Sequence, residues 1–125
     1  MKVAVSSTGS TLDAAIDPRF GRCQTFLLVE TDDLGFEAVA NGSFTLGGGA
    51  GIQAALLVAQ RGAKAVLTGN CGPNAHQTLT ASGIQVVVGC SGTVRDAVSR
   101  FAAGALEPAP APNVAPHAGM GRGAR

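Results

Sequence analysis

A chain of 125 residues has room for one domain around one core, and not for two. Its formal charge of +1, with only 14% charged residues, gives no general attraction for nucleic acid or an anionic membrane. No run approaches the ~20 apolar residues of a membrane span, the apolar stretch after Met1 is too short for a secretory leader, and three cysteines without a Cys-x-x-Cys pair make neither a disulfide framework nor a zinc knuckle, so the expected setting is the reducing cytoplasm.

Residues 2–6 read as a first strand, with Val3 and Val5 on one face. A long polar stretch, 7–24, follows, broken by Asp17-Pro18 and Gly21. Residues 25–31 are rich in strand formers, and Asp32-Asp33-Leu34-Gly35 is a turn signal. Residues 36–41 read as a third strand, closing a hairpin. The run Thr45-Leu46-Gly47-Gly48-Gly49-Ala50-Gly51 cannot be regular structure. A helix is expected over 52–61, where Ile52, Ala55, Leu56 and Ala59 recur at helical spacing, with Gly62 at its end. Residues 63–69 form a buried strand. Pro73 suits the first turn of a second helix, which Gly83 ends near residue 81. Residues 84–89 form a further buried strand. A third helix spans 93–103, opened by Thr93-x-x-Asp96, a capping-box variant. From residue 105 the Pro-Ala alternation and then the Gly-rich end suggest a disordered tail, 105–125, beyond a domain of 1–104.

The order β-β-β-α-β-α-β-α predicts an α/β domain: a five-stranded mixed sheet with three helices. The ribonuclease H-like order 3-2-1-4-5 fits it. With 46% apolar residues, no Trp, no Tyr and five Phe, its core must be aliphatic, and many of the 18 glycines must serve turns and helix ends.

In such a sheet the short connections, 31–35, 61–64 and 81–84, fall at one edge. The longer or Gly-rich ones, 7–24, 42–51, 70–73 and 89–92, fall at the other. Ligands of open α/β sheets bind beyond the carboxyl ends of the strands. That edge collects Arg19, Arg22 and Cys23, the backbone around Gly48, Gly49 and Gly51, and then Cys71 and Cys90. His76, one turn into the second helix, could face the same space. Three helices start there, and their N-terminal N–H groups favour an anion. The expectation is an anion cradle rimmed by sulfur donors.

Each piece also has a plainer reading. The glycine run lacks the Lys-Ser/Thr of a P-loop and the spacing of a dinucleotide fingerprint, so it is either a close-packed turn or a backbone anion site. Cys71 and Cys90 lie in similar segments, Gly69-Asn70-Cys71-Gly72 and Gly89-Cys90-Ser91-Gly92. A helix start favours their thiolates and metal binding, whereas free cysteines are commonly small buried hydrophobes. Arg19 and Arg22 either clamp a polyanion or sit in a solvated loop with Arg19 paired to Asp17. His76 is a ligand or a surface residue, and His117 and Met120 are soft donors in the tail. Catalysis is not expected. The first strand lacks the carboxylates of a two-metal nuclease, and no Ser–His–Asp set stands out.

Three segments, Asp17-Pro18-Arg19-Phe20-Gly21-Arg22-Cys23, Gly49-Ala50-Gly51-Ile52-Gln53-Ala54 and Gly69-Asn70-Cys71-Gly72-Pro73-Asn74-Ala75, resemble the successive motifs of the dinitrogenase iron–molybdenum cofactor biosynthesis family. The likeness covers about residues 1–103, and Gly119-Met120-Gly121-Arg122-Gly123 is similar to the tails of stand-alone members. The resemblance implies a ribonuclease H-like fold and non-enzymatic binding of a molybdenum-containing metal–sulfur cluster. In the stand-alone orange-protein branch, to which this chain is most similar, that cluster is a molybdenum–copper sulfide. Elsewhere in the family it is the iron–molybdenum cofactor or a precursor. The family's motifs map onto Arg19, Phe20, Gly21, Arg22, Gly49, Gly51, Cys71, Gly72 and Pro73, while Cys90 and His76 are chosen by position alone. A protein partner for cluster delivery is a further expectation. The alternatives are a phosphate- or nucleotide-binding module and a regulatory interaction domain.

Overall fold

The computed structural model describes residues 1–42 and 49–113. Its elements are β1 (Lys2–Ser7), β2 (Thr25–Glu30), β3 (Phe36–Ala40), α1 (Ala50–Gln60), β4 (Ala65–Leu67), α2 (Pro73–Ala81), β5 (Gln85–Val87) and α3 (Val94–Ala102). The sheet runs β3-β2-β1-β4-β5. β2 is antiparallel to both neighbours, and β1, β4 and β5 are parallel. The mixed five-stranded sheet with three helices is therefore the architecture that the pattern of the sequence predicts.

Strand alternation divides the core between two faces. Ala4, Phe26, Leu28, Val66 and Val86 pack with Ala54, Ala55 and Val58 of α1 and with Ala75 and Leu79 of α2. On the opposite face Val3, Val5, Leu27, Val29, Leu67 and Val87 pack with Val94, Ala97 and Val98 of α3. Small Ala side chains on α1 let that helix sit close to the sheet. α3 begins where expected, since Thr93 Oγ1 accepts from the Asp96 N–H at 3.1 Å. α1 begins two residues earlier than its apolar spacing suggested. Gly49, at φ 86°, turns the chain directly into Ala50.

The polar stretch 7–24 is an ordered wrap over the carboxyl ends of β1 and β4. Leu12 and Ile16 are buried on the α3 side, while Phe20 and Cys23 are buried on the α1–α2 side. Single bridges tie Ser7 to Ile16, Ala15 to Thr93 and Arg19 to Asn70. Beneath it, Ser6 Oγ donates to the Asp17 carbonyl at 2.7 Å and meets Thr68 Oγ1 at 2.7 Å, so the buried hydroxyls are satisfied.

Of the tail expected over 105–125, residues 105–113 are described, and they lie against the domain as a strap. Leu106 packs on the α3-side core. The Ala109 N–H donates to the Val86 carbonyl of edge strand β5 at 2.6 Å, and the Asn113 N–H to the Cys71 carbonyl at 3.2 Å. Prolines at 108, 110 and 112 leave N–H groups only on alternate residues and restrict the free chain, which lowers the entropy lost on docking. His117 and Met120 lie outside the described residues.

Candidate functional site

Three chain segments meet at the expected edge around a cavity of about 310 Å³. It is lined by Arg19, Phe20, Gly21 and Arg22 from the wrap, Gly51 from α1, and Asn70, Gly72, Pro73, Asn74 and Ala75 from the turn into α2. No acidic side chain is among these residues.

Glycine sets how closely the segments approach. A Cβ on Gly21 would lie 3.0 Å from the Gly51 backbone, and one on Gly69 would lie 2.7 Å from Pro18 Cα. The contact at Gly69 cannot be made without moving main chain, and the one at Gly21 would require the Gly51 backbone to give by a few tenths of an ångström. The cavity is therefore formed by backbone segments pressed together, with Phe20, itself 2% exposed, packed beneath against Phe26 at a ring separation of 5.2 Å.

Asparagines hold the segments in place. Asn41, 1% exposed at the end of β3, donates Nδ2 to the Cys23 carbonyl at 2.7 Å and to the Gly21 carbonyl at 3.3 Å. Asn70 donates its N–H and its Nδ2 to the Pro18 carbonyl at 2.7 and 3.1 Å. The polar tether at Asn41 was not foreseen. A lone Asn after a strand looks like a turn residue, and only the fold brings it to the wrap.

The electrostatics favour an anion. Arg22 is exposed, and Arg19 is held at Asp17, with Nε 3.3 Å from Oδ1. The same Asp17 oxygen accepts the Arg19 N–H at 2.9 Å, fixing the turn as well as the guanidinium. α1 and α2 both start at the cavity, and among the described residues neither has a side-chain cap or an acidic residue in its first turn. Helix starts of this kind retain N–H groups with no partner inside the helix.

The sulfur donors do not converge there. Cys23 and Cys71 are buried in the α1–α2 core, and Cys90 lies in the α3-side core, across the sheet. None of the three lines the cavity. Cys71 Sγ contacts the Gly72 carbonyl at 3.7 Å, and Cys90 Sγ the Val87 carbonyl at 3.8 Å. Nor are the thiols activated by the helix starts. Burial pushes Cys71 up to about 11 and Cys90 upward, and burial followed by the Asp17 charge pushes Cys23 to about 12. The similar segments at Cys71 and Cys90 part because α2 and α3 leave the sheet on opposite faces. Among the described residues no group of three or more His, Cys, Asp or Glu side chains is arranged to hold a metal ion.

Of the remaining expectations, Arg19, Phe20, Gly21, Arg22, Gly51, Gly72 and Pro73 meet at the cavity, and Gly49 turns the chain into α1. His76 faces the strap instead, with Nε2 3.2 Å from the Ala109 carbonyl. Gly48 lies outside the described residues. A second cavity of about 440 Å³, between the end of β3 and α1, is lined among the described residues by amide and apolar side chains such as Asn41, Gln53, Leu56 and Gln60, none of them charged.

Comparison with known proteins identifies the family and the fold. Residues 1–104 match the family model described as dinitrogenase iron-molybdenum cofactor. The apo form of the orange protein from Desulfovibrio gigas superposes with a TM-score of 0.87 at 46% identity, covering 90% of this chain and 95% of that one. A NifB-type protein from Thermotoga, described as belonging to the DUF35 family, gives a TM-score of 0.74 at 31% identity, covering 86% and 91%. An uncharacterized protein of Methanocaldococcus jannaschii is 29% identical over 110 residues, covering 86% of this chain and 90% of its own length.

Proposed function

The chain belongs to the dinitrogenase iron-molybdenum cofactor family, and on that premise we propose that it binds and carries an anionic molybdenum-containing metal–sulfur cluster, without catalysis, in the cavity between the wrap and the starts of α1 and α2. The observation that carries this reading is the lining: among the described residues, two arginines, two helix starts and no carboxylate line a space of about 310 Å³, Asp17 lying behind Arg19 as its ion-pair partner. The likeness to the orange protein favours a preformed molybdenum–copper sulfide over the iron–molybdenum cofactor or a precursor as cargo.

In this reading the cluster is a substrate held from outside. Guanidinium groups of Arg19 and Arg22 and main-chain N–H groups of the helix starts meet its outer sulfides. Phe20 closes the floor against water. Cys71, 1% exposed and outside the cavity lining, stays a core residue behind the cavity wall in this reading and is not the anchor of the cluster. Delivery to a protein partner, and residence in a reducing cytoplasm, complete the proposal. Among the described residues no helix is long and apolar enough to cross a membrane.

The test is an anaerobic amide NMR titration of the protein with tetrathiomolybdate and cuprous ion. Shifts clustered at residues 19–22, 49–53 and 70–75 support the reading, and their absence overturns it. Because no thiol lines the cavity, a phosphate ligand is the second reading. It requires orthophosphate or a nucleotide to shift the same amides with tetrathiomolybdate inert.

A further inference from the structure

We propose that Asn113, in the C-terminal strap, is a positioning residue for the cavity and acts on it through Asn70. The ligand-binding arm of this proposal rests on the cluster-carrier reading, while the arm on the unliganded protein does not.

The two main walls of the cavity, the wrap and the turn into α2, are joined at Asn70. Its N–H and its Nδ2 both donate to the Pro18 carbonyl, at 2.7 and 3.1 Å, and its own carbonyl accepts from the Phe20 N–H at 3.3 Å. A carboxamide has one donor end and one acceptor end. For Nδ2 to reach Pro18, Oδ1 must point away from the wrap, and something must favour that orientation over the flipped one. Asn113 supplies it, donating Nδ2 to Asn70 Oδ1 at 3.1 Å.

Asn113 is itself placed by the same turn. Its Oδ1 accepts from the Cys71 N–H at 2.7 Å, its N–H donates to the Cys71 carbonyl at 3.2 Å, and its Nδ2 also reaches the Gly69 carbonyl at 3.3 Å. One side chain and one peptide group thus bind three consecutive residues of the turn. Upstream, Ala109 is fixed on both sides, through its N–H to Val86 and through its carbonyl at His76 Nε2. Between Ala109 and Asn113 the chain bends at residues 110 and 111, and the prolines at 110 and 112 narrow the conformations open to it. Asn113 does not line the cavity, whereas Asn70 does. Its influence on a ligand therefore runs through Asn70 and the 69–71 backbone.

An aspartate would not replace it. A carboxylate accepts from Cys71 N–H but cannot donate to Asn70 Oδ1 or to the Gly69 carbonyl, and it sets a negative charge facing both oxygens.

The experiment uses the full chain, with Asn113→Ala, Asn113→Asp, Asn70→Ala and the Asn113→Ala/Asn70→Ala double variant. In unliganded protein, Asn113→Ala is expected to move the Asn70 side-chain amide resonances and the backbone amides of residues 19–20, with β1 and β2 resonances unchanged. With tetrathiomolybdate as probe, Asn113→Ala lowers affinity by about three- to tenfold, the loss of one or two ordinary hydrogen bonds, and Asn113→Asp lowers it further. In the Asn70→Ala background, Asn113→Ala costs clearly less than in wild type, because the bond to Asn70 Oδ1 is already gone and only the contacts to the Gly69 carbonyl and the Cys71 N–H remain to be lost. The proposal is overturned if the Asn70 side-chain resonances and residues 19–20 stay unmoved in Asn113→Ala, or if the two single effects on affinity add in full. A wild-type chain that does not bind tetrathiomolybdate would remove the cluster-carrier reading, and the shifts of the unliganded protein alone would then decide the role of Asn113.

Discussion

Asp17 has two tasks that one substitution separates. Its Oδ1 accepts the Arg19 N–H and so shapes the turn, while its charge offsets the Arg19 guanidinium beside the cavity. Asp17→Asn keeps an acceptor oxygen and removes the charge. We expect anion affinity to rise by about 1.5- to fivefold, the range of a partly exposed ion pair, read by titration with tetrathiomolybdate at low salt. Replacing both Arg19 and Arg22 by Gln acts in the opposite direction. It is expected to lower affinity by at least about tenfold, by analogy with charge-assisted hydrogen bonds, and to flatten the salt dependence of binding. An affinity unchanged in the double variant would remove the electrostatic basis of the site. The cysteines make a prediction of their own kind. With Cys71 raised to about 11, its alkylation by iodoacetamide in the native protein is slow at neutral pH and climbs only toward that value.

Between elements, the decisive contacts are glycine against backbone. Gly69→Ala sets a Cβ 2.7 Å from Pro18 Cα, where main chain has to move. Overpacking of this kind costs about 1–3 kcal/mol, measurable by urea denaturation, and it should weaken ligand binding as the wrap is pushed off the turn. Gly72→Ala is the counterpart. At φ −76° an alanine is unstrained, and its Cβ meets nothing within 4 Å. Stability should stay within about 0.5 kcal/mol while affinity falls, since Gly72 lines the cavity. If Gly72→Ala bound tetrathiomolybdate like wild type, the ligand would have to lie elsewhere. The pair also explains what sequence could and could not say of the site. Strand ends and helix starts are enough to bring Arg19, Arg22 and Gly51 to this edge, whereas Phe20, Gly21, Gly72 and Pro73 were indicated only by the family resemblance; all seven line the cavity. The thiols beside them misled, since sequence placed Cys71 and Cys90 after strands but did not specify which face each following helix would cover.

For the molecule as a whole, the strand and helix order was readable because Val3 and Val5 alternate with Ala4, and because α3 spaces its apolar residues at helical intervals. The wrap was harder, since Leu12, Ile16, Phe20 and Cys23 are buried on two different faces and follow no single period. The strap was hidden by its composition, for alternating Pro and Ala is what an undocked linker also contains, and its attachment depends on distant Val86 and Cys71. Two buried thiols also shape the stability of the entire domain at high pH. An unfolded thiol ionises near 9.0, whereas Cys71 and Cys23 in the fold are raised to about 11 and about 12. Above pH 9 the unfolded chain loses these protons first, so stability that is complete below that pH falls as pH rises toward 12. Cys23→Ala should reduce the slope of that alkaline limb in denaturation curves.

The separation of all three thiols from the cavity has a kinetic consequence. Cargo tethered by thiolate bonds leaves by stepwise exchange, at a pace set by competing thiols. Cargo held only by guanidinium and N–H groups departs as a single body. On the carrier reading, millimolar glutathione should therefore leave the release rate of a bound cluster unchanged, while added sulfate or chloride accelerates it, and the acceptor receives the cluster with every internal bond intact.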